Sequence, residues 1–429
     1  MTLVASLGFA GSSSAAPSKA NFKSFTGSCG KAVTDPKAQH PVFVLQNDIG
    51  PCKSDGLIFK ASNVTLDLRG HTIKGMPLET DSDGKITGGF GEGVGLRLVG
   101  NSRVKVISTL PGATIQDFDA GMVIQGGATQ PATDNSVSDI RFTDNRGRQV
   151  FGSGTEEEIS DFNDGLAIVN SQFNTIADNV FDRNGSGGIR IDDRATNNTI
   201  TGNIVDSNGG IGIRFLSNAT NNLVTNNLVT GNSSTNNFAG GVAVSFGSAD
   251  NTIDNNTIDS NKSDGVSVSL LADRTVIRNN RIRNNLGNGL FLRSGQNTVS
   301  KNQVIGNGKG MTGTGKGNGI FLLSGTDNFP RAGTTVSENT VQGNAGNGIR
   351  ISCMIDEGED PVTGARVLSG CLNWDMHNKV LDNDATGNAV NGPPGTKVLG
   401  GPSDRFSPFE VVGWYDLLDS TNADATQSP

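Results

Sequence analysis

Short apolar patches separated by polar corners recur about every 24 residues between Gly165 and Asn388. One unit reads GIRIDDRATNNTITGNIVDSN over residues 188–208, and another reads GVAVSFGSADNTIDNNTIDSN over residues 241–261. Within each unit the apolar residues alternate over a few positions, which is strand periodicity and not helical periodicity. Each unit therefore predicts three short strands, and so short a period predicts one supersecondary unit stacked on itself.

The inward positions of each predicted strand are apolar and mostly β-branched, so they predict a thin core. After the repeat glycine these positions are Ile189 and Ile191, Ile213 and Phe215, Val242 and Val244, Val266 and Val268, Leu290 and Leu292, Ile320 and Leu322, and Ile349 and Ile351. No hairpin dipeptide joins neighbouring strands, so each strand is predicted to pair in parallel with its equivalent one coil later. The prediction is an all-β parallel solenoid of about ten coils, about 50 Å long and capped at both ends.

Asparagine recurs at three offsets, which the pattern places at the corners between strands. The columns are Asn174, Asn198, Asn222, Asn251, Asn297 and Asn378, with Thr275 and Thr334 standing in; Asn179, Asn203, Asn227, Asn256, Asn280, Asn302, Asn339 and Asn383; and Asn184, Asn208, Asn232, Asn261, Asn285, Asn307, Asn344 and Asn388. Asparagine tolerates left-handed backbone angles, and its amide can bond to the same amide one coil away, forming a ladder. Metal or sugar binding is the alternative, but columns that run through every coil favour the structural role.

The NxI and NxxxxN columns, together with the opening coil NVTLDLRGHTIKG of residues 63–75, resemble the right-handed parallel β-helix of the pectate-lyase-like superfamily. A segment CGKAVT begins at Cys29 and precedes that coil, as in many secreted bacterial β-helix repeat proteins. The resemblance covers about residues 29–390 and implies the right-handed parallel β-helix fold. It implies no single activity, because the superfamily holds lyases, hydrolases, epimerases and proteins of no known reaction.

The chain is predicted to have four parts. Residues 1–27 read as a signal-peptide remnant with a disordered N-terminus, and residues 28–62 as an N-terminal cap over the first strand edges. Residues 63–390 form the predicted β-helix. Residues 391–429 form a predicted C-terminal cap and tail.

Export is indicated by the N-terminus and by the cysteines. Leu3–Ala10 is a short apolar core of signal-peptide type, with a merely disordered N-terminus as the alternative. Four cysteines allow three connectivities, and the simplest pairs Cys29 with Cys52 and Cys353 with Cys371. We therefore predict a secreted or cell-surface protein with disulfide bonds.

Charge and hydropathy exclude two classes of partner. The net charge of −8 and the pI near 5.0 argue against a general nucleic-acid binder. No run of 18 apolar residues is present, so no membrane span is predicted.

Three insertions interrupt the repeat at corners, where repeat proteins place their binding loops. They lie at residues 146–164, 308–318 and 353–371, and the first and third are acidic. Acidic loops can bind calcium, yet neither matches a calcium-loop consensus. No cofactor is therefore predicted, with calcium left open, and solvated acidic loops are the simpler interpretation.

The candidate site is a pair of arginines on the outer face of the strand that follows the repeat glycine. Arg190 and Arg214 should lie one coil apart, about 5 Å at the backbone, and Asp192, Asp193 and Arg194 share the rung of Arg190. Stacked arginines recognise carboxylates by bidentate hydrogen bonds. In a polyuronide lyase such cations would neutralise the sugar carboxylate, and Asp192 or Asp193 could act as acid or base there or in a hydrolase. An ordinary surface ion-pair cluster is the alternative.

The neighbours of these arginines in the same outward column are small. Ala167 and Ala243 are therefore expected to leave a trough on each side. Farther along the column, Phe291 and Phe321 lie in line near Arg293, as a predicted stacking platform for a sugar ring. The alternative is that the 308–318 insertion covers both rings.

Two functions remain open on these observations. The first is a secreted carbohydrate-active protein that acts on or binds an acidic polysaccharide through the Arg/Asp cluster, as a lyase or glycoside hydrolase if it is an enzyme. The second is a non-catalytic structural or adhesive β-helix, favoured by the scarcity of residues common in catalytic sites and sugar grooves: three His, one Tyr and two Trp. The Arg-x-Pro-x-x-Arg of pectate lyases, the Gly-His-Gly of polygalacturonases and the Asp-Pro-His-Asp of mannuronan epimerases are absent from the sequence. Those three activities are therefore not expected.

Overall fold

Three long, mostly parallel β-sheets build the molecule and confirm the predicted right-handed parallel β-helix. The computed structural model describes residues 21–35, 40–77, 79–80, 86–88, 93–146, 163–232, 240–269, 271–309, 317–324, 333–353, 355–359, 366–369, 378–385, 388, 397–399, 409–412, 415–417 and 423–427. Within these ranges there is no helix, and so none that is long and apolar enough to cross a membrane.

Sheet A has 15 strands, of which the last two are antiparallel. In sheet order they are Phe22–Phe25, Val42–Leu45, Thr65–Asp67, Lys105–Ile107, Ser136–Ser138, Thr175–Ala177, Thr199–Thr201, Leu223–Thr225, Thr252–Asp254, Val276–Arg278, Thr298–Ser300, Thr335–Ser337, Asn378–Leu381, Ala423–Gln427 and Tyr415–Leu417. Its outer face is rich in threonine and serine.

Sheet B has 14 strands, of which the last is antiparallel. In sheet order they are Lys31–Val33, Leu57–Phe59, Val94–Val99, Ala120–Gln125, Leu166–Val169, Ile189–Asp192, Ile213–Phe215, Val242–Val244, Val266–Val268, Leu290–Leu292, Ile320–Ser324, Ile349–Cys353, Phe409–Val412 and Lys397–Leu399. This sheet carries the candidate site on its outer face.

Sheet C has 11 strands, all parallel. They are Ile49–Cys52, Thr72–Gly75, Thr114–Gln116, Arg141–Thr143, Val180–Asp182, Ile204–Asp206, Leu228–Thr230, Thr257–Asp259, Arg281–Arg283, Gln303–Ile305 and Thr340–Gln342. The chain visits sheet A, then sheet C, then sheet B in each coil, so the 11 strands of sheet C mark 11 described coils with all three strands. At about 4.8 Å per coil this gives a rod about 50 Å long, as predicted.

Among the residues that the structure describes, three small strand pairs lie outside the solenoid sheets. Ala132–Thr133 pairs in parallel with Ser171–Gln172. Glu79–Thr80 pairs with Ile86–Gly88, and Ile355–Glu359 pairs with Arg366–Ser369, both antiparallel. The strands of these pairs lie in the connections between the strands of the solenoid sheets.

The core is a single column of apolar side chains along the axis of the rod. Every inward residue predicted from residue 189 to residue 349 is at most 2% exposed where its side chain is described. The rings of Phe142 and Phe181 stack in adjacent coils at 4.9 Å between centroids. Equivalent positions therefore pack on one another along the axis, as the repeat predicts.

The solenoid begins earlier than residue 63. Phe22–Phe25 and Lys31–Val33 already belong to sheets A and B, and Ile49–Cys52 opens sheet C. Coils therefore occur within residues 28–62, the range assigned above to an N-terminal cap. The sequence could not separate them because these first strands lack the Asn columns.

One predicted disulfide is present in the described residues. Cys29 and Cys52 are bonded, with their Cα atoms 5.4 Å apart. Cys353 ends a strand of sheet B, while Cys371 lies outside the described residues, as do residues 1–20 with the predicted signal segment.

The Asn columns form the predicted hydrogen-bonded ladders. In each bond a buried Asn donates its backbone N–H and its Nδ2 to the Oδ1 of the Asn one coil later, as Asn198 does to Asn222 at 2.9 and 3.0 Å. Most of these Nδ2 groups also donate to a backbone carbonyl of the preceding coil, as Asn222 does to Ala195 at 3.0 Å. Two ladders extend one coil further than predicted, to Asn135 and Asn145.

Left-handed backbone, in contrast, was assigned to the wrong residue. The ladder residues do not have positive φ; the residue just before each of them does, as at Asn197, Asn221 and Asn226 with φ near 56°. Asparagine in the columns is therefore required for its amide and not for its backbone freedom. The exposed residue that precedes it turns the chain.

The first ladder is interrupted where Thr275 replaces asparagine. Thr275 has no side-chain amide oxygen to accept a bond. The Nδ2 of Asn251 therefore donates only to backbone carbonyls, such as that of Ala219 at 2.8 Å. Around the circumference of this same junction, three arginines bridge to aspartates 24 residues earlier. They are Arg274 with Asp250 at 2.7 Å, Arg278 with Asp254 at 3.0 Å and Arg283 with Asp259 at 2.6 Å. We call this set the Arg–Asp seam. It joins the two coils between which the ladder lacks its Asn–Asn side-chain hydrogen bond.

Acid should weaken the Arg–Asp seam. The hydrogen bond from Arg274 holds the pKa of Asp250 below its ordinary value of 3.8; burial raises the pKa of Asp259, but bonds from Ser260, Asn284 and Arg283 outweigh it and lower that pKa. Because the pKa is depressed on folding, the stabilisation is present above about pH 4 and is lost as pH falls through the folded-state pKa. We expect the thermal midpoint to drop between pH 5 and pH 2.5, by an amount kept modest by solvent screening.

The control for this prediction is the double variant Asp250→Asn/Asp259→Asn, measured by circular dichroism at the same pH values. Its midpoint should start lower and change less with pH than that of the wild type. An identical pH dependence in the two proteins would contradict a role for the seam.

Candidate functional site

The outer face of sheet B carries one uninterrupted column of side chains in direct register. From coil to coil it runs Arg97, Val123, Ala167, Arg190, Arg214, Ala243, Ser267, Phe291, Phe321 and Arg350. Outward positions of a strand alternate with core positions, so the repeat that builds the core also aligns this column. Arg190 and Arg214 are direct register partners, as the sequence predicts.

Arg190 is paired with an aspartate on its own strand. Its Nε donates to Oδ2 of Asp192 at 2.7 Å, and its Nη2 contacts the same oxygen. The side chains are 20% and 8% exposed, so the pair is largely removed from water. The two residues face the same side because they are two positions apart in a strand.

The carboxyl of Asp192 is held ionised by this arrangement. Burial raises its pKa, but the attraction of Arg190 and the hydrogen bonds from Arg190, Ser217 and the N–H of Asp193 outweigh burial and hold the pKa below 3.8. A carboxylate with a lowered pKa has no proton to donate near neutral pH, and its affinity for a proton is weakened. The geometry therefore gives Asp192 a positioning role for Arg190 and makes it a poor general acid.

Arg214 is paired with Asp164, a residue that the sequence analysis did not single out. The Nη2 of Arg214 donates to both carboxylate oxygens, at 3.0 and 2.8 Å, and the Asp164 side chain is fully buried. Asp164 also accepts the N–H of Gly187 at 2.7 Å. Gly187 lies in the coil between them, and a Cβ there would come within 2.7 Å of the Asp164 carboxylate. A glycine is therefore required for this ion pair to form across two coils.

Asp164 belongs to a fourth corner column that precedes the repeat glycine. In later coils this column is a short ladder: Asn288 donates its N–H to Asp264 at 2.6 Å, and Asn318 donates to Asn288 at 2.9 Å. The bonds run in the opposite direction to those of the three predicted ladders. The recurring Asp-Gly and Asn-Gly pairs were the available signal, but they read as ordinary turns.

The expected trough beside Arg190 is not present. Ala167 is fully buried, in an outer apolar cluster with Val94, Ala120, Val123 and Val169. A small side chain leaves open space only if nothing packs over it, and here apolar neighbours do. On the other side of the pair, Ala243 is 7% exposed, so that predicted trough is not open either.

Asp193 and Arg194 lie on the corner that follows the strand. Both have positive φ, at 45° and 60°, and they form their own ion pair at 3.2 Å. Their side chains are 47% and 70% exposed, so the pair adds little stability. They are exposed to solvent, unlike Arg190 and Asp192.

Phe291 and Phe321 are adjacent, with ring centroids 5.3 Å apart and a tilt of 31°. Phe321 is only 7% exposed, and the guanidinium over its ring, 4.9 Å away, belongs to Arg350. The predicted platform is therefore reduced to Phe291, which is half-buried, with Arg293 half-buried two positions along the same chain segment. Arg350 is a residue that the sequence analysis did not single out.

No group of three His, Cys, Asp or Glu side chains that could hold a metal ion occurs within the described residues. The acidic residues proposed for calcium in the insertions at 146–164 and 353–371 lie almost entirely outside those ranges or have undescribed side chains. The described part of the outer face thus offers cations, amides and aromatic rings as binding groups.

The family described as the right handed beta helix region matches residues 55–235 and 228–354 of the chain. Together these matches span more than half of the 429 residues. No curated protein matches the chain in sequence.

Solved structures share the fold at low sequence identity. The mannuronan C-5 epimerase AlgE4 A-module of Azotobacter vinelandii is 13% identical with a TM-score of 0.51, over 88% of this chain and 91% of that one. The AlgE6 A-module of the same organism is 14% identical with a TM-score of 0.48, over 88% and 86%. DFA-IIIase from Arthrobacter chlorophenolicus A6, without its lid, is 15% identical with a TM-score of 0.43, over 76% and 86%. At these identities the likeness concerns the fold alone.

Proposed function

The chain belongs to the right-handed beta helix family, and on that fold we propose that the outer face of sheet B binds an extracellular acidic polysaccharide. The observation that carries the proposal is the register of Arg190 and Arg214, two largely buried guanidinium groups in adjacent coils on one face. Two like charges about 5 Å apart at the backbone are unfavourable unless anions lie between or beside them. A carboxylate-bearing polymer supplies such anions at regular intervals.

Arg214 is the arginine best suited to meet a ligand. Its two bonds to Asp164 use Nη2 alone, and its side chain is 19% exposed. Guanidinium groups bind carboxylates through N–H donors, so a sugar carboxylate would accept from the guanidinium nitrogen that this ion pair does not use. Asp164 meanwhile fixes the orientation of the group before the ligand arrives.

A path along the column leads from the arginines to the aromatic cluster. Ala243 and Ser267 separate Arg214 from Phe291, three coils away or about 14 Å. Both are small and buried, so no large side chain of this column projects outward between Arg214 and Phe291. Phe291 and Arg293 then form a second contact area for the same chain.

Binding is better supported than catalysis. The lowered pKa of Asp192 argues against proton donation, and Asp193 is turned toward the exposed corner with Arg194. The catalytic roles for Asp192, Asp193, Arg190 and Arg214 stand as part of the proposal to be tested. A secreted or surface location is proposed with it, supported by the Cys29–Cys52 disulfide, since disulfides persist in oxidising compartments.

A non-catalytic structural rod is the second candidate, and one observation favours it. Both arginines already have an aspartate partner, so the four groups are formally neutral without a ligand. In that case both pairs are structural only: Arg190–Asp192 lies within one strand, and Arg214–Asp164 joins two coils across an intervening one. Binding experiments separate the two candidates directly.

The test is a panel of polyuronides, including mannuronan, and neutral glycans, assayed with the full chain. Binding is measured by isothermal titration calorimetry, and turnover by unsaturated products and reducing ends. We expect polyuronides to bind and neutral glycans to bind more weakly. Absence of binding and turnover on every polymer would exclude the proposal and leave the structural rod.

A further inference from the structure

A second feature that suggests a ligand lies on the corner between sheets B and A. Among the described residues, 32 non-glycine residues have positive φ, and nearly all are polar. The three apolar ones are Phe173, Phe246 and Leu271, with φ of 55°, 53° and 69°. All three lie on this one corner, and their exposures are 51%, 58% and 53%.

Packing within the described residues leaves more than half of each of these side chains exposed. A bulky residue in the left-handed region is strained, typically by about 1–2 kcal/mol, and a ring that is more than half exposed gains only part of the possible burial in return. In the coils next to Phe173, the equivalent corner residues are Asn197 and Asn221, which suit that backbone far better. Backbone strain together with exposure of the side chain indicates that these rings contact a ligand outside the protein.

The polar residues between the rings supply hydrogen-bonding groups. Arg194, Asn197, Asn218 and Asn221 are exposed on the two coils that separate Phe173 from Phe246. Along the axis of the rod the two residues are three coils, or about 14 Å, apart, with Phe246 on the sheet B side of the corner and Phe173 on the sheet A side. Separate aromatic rings with amides between them suit a ligand that is apolar on its faces and polar at its edges, and a sugar ring has that character. A protein partner would favour one contiguous apolar patch.

The corner is continuous with the Arg190/Arg214 face. Phe246 lies three residues, or about 10 Å, beyond Ala243, which is the register partner of Arg214. Its carbonyl accepts the N–H of Asn218, next to Ser217, which hydrogen bonds to Asp192. One oligosaccharide could therefore contact both areas.

We propose that Phe173 and Phe246 are stacking platforms of a sugar-binding corner. This corner contacts the faces of sugar rings whether or not the sugar carries a carboxylate. This inference rests on the proposed function and extends it: the arginines recognise the carboxylates, and the corner recognises the sugar rings. Leu271 extends the same corner by one coil.

The test uses Phe246→Asn and Phe173→Asn in the full chain. Each substitution removes the ring and places a residue suited to the left-handed backbone, so thermal stability should be unchanged or higher. Affinity for a polyuronide, and equally for its carboxyl-reduced form, should fall about tenfold in Phe246→Asn. Phe22→Thr is the control, because Phe22 is 68% exposed but lies on the first strand of sheet A, and its affinity should be that of the wild type.

Each other outcome counts against the inference. Unchanged affinity in both corner variants would overturn it, while loss of binding in arginine variants would still support the proposed function. If the variants lose stability or change the oligomeric state in sedimentation, with affinity intact, the rings have a structural or self-association role. If the wild type binds no polymer, this inference is excluded together with the proposed function.

Discussion

Replacing Asn222 with alanine is expected to lower the free energy of unfolding by about 3–4 kcal/mol. The Asn222 side chain donates to Ala195 O and Asn251 Oδ1, at 3.0 and 3.1 Å, and accepts two bonds from Asn198, at 2.9 and 3.0 Å. Truncation removes all four bonds and leaves the buried backbone N–H of Asn198 without this partner, while the carbonyl of Ala195 keeps the N–H of Thr220 at 3.1 Å. An unsatisfied buried polar group costs about 1–3 kcal/mol, and each of the other lost hydrogen bonds adds about 0.5–1.5 kcal/mol. Urea unfolding followed by circular dichroism measures the loss.

The matched control is the neighbouring residue. Asn221 is exposed and has φ of 56°, so Asn221→Gly keeps the backbone conformation and removes no buried group. Its stability should lie within about 0.5 kcal/mol of the wild type. Equal losses in Asn222→Ala and Asn221→Gly would contradict the ladder as the source of stability and return the role of asparagine to the corner backbone.

The double variant Asp164→Asn/Arg214→Met is expected to weaken polyuronide binding about 30-fold, or by about 2 kcal/mol. Removing Arg214 alone would leave the buried Asp164 carboxylate unpaired and endanger the fold. An asparagine at residue 164 keeps an oxygen for the N–H of Gly187, as the buried Asn288 does for Asn318 in a later coil. Methionine retains the apolar stem of the arginine. The fold should therefore survive while the cation is lost.

Arg278→Met is the control for charge. Arg278 also pairs with an aspartate, at 3.0 Å, but lies on the outer face of sheet A. Its removal lowers the net charge by one, whereas Asp164→Asn/Arg214→Met loses one charge of each sign and keeps the net charge of the wild type. The control therefore makes the larger change in overall charge, and its affinity should still lie within twofold of the wild type. If both variants lost the same affinity, the loss would not be specific to Arg214 and the sheet B site would be wrong.

The fold could be predicted from the sequence because the repeat acts at every level. Alternation after the repeat glycines gave the strands, and periodic Asn gave the ladders. The first coils were not predicted as coils, because their corners lack the Asn columns. Ile49–Cys52 therefore looks like any short apolar segment. Of the two roles predicted for the Asn columns, the hydrogen-bonded ladder is confirmed and the left-handed backbone is wrong. The sequence could not separate them, because either role explains asparagine at a corner.

The candidate site was less predictable, because its chemistry depends on contacts between coils. Register alone places Arg190 beside Arg214, and the spacing of the repeat predicts that register. The Arg214–Asp164 pair joins residues 50 positions apart across the glycine of an intervening coil, which no local pattern reveals. Likewise, whether Ala167 is open or Phe321 is covered depends on what packs on the outer face. Outward position in a strand says nothing about that.

The most direct test of the central claim combines the polymer with the protein variant. Calorimetry would give the affinity of a polyuronide and of its carboxyl-reduced form for the wild type and for Asp164→Asn/Arg214→Met, which makes a double-mutant cycle between the arginine and the sugar carboxylate. If sheet B binds acidic polysaccharide through Arg214, the wild type prefers the polyuronide at least tenfold and the variant shows little preference. If the preference is the same in both proteins, Arg214 does not bind the carboxylate and the proposed site is wrong.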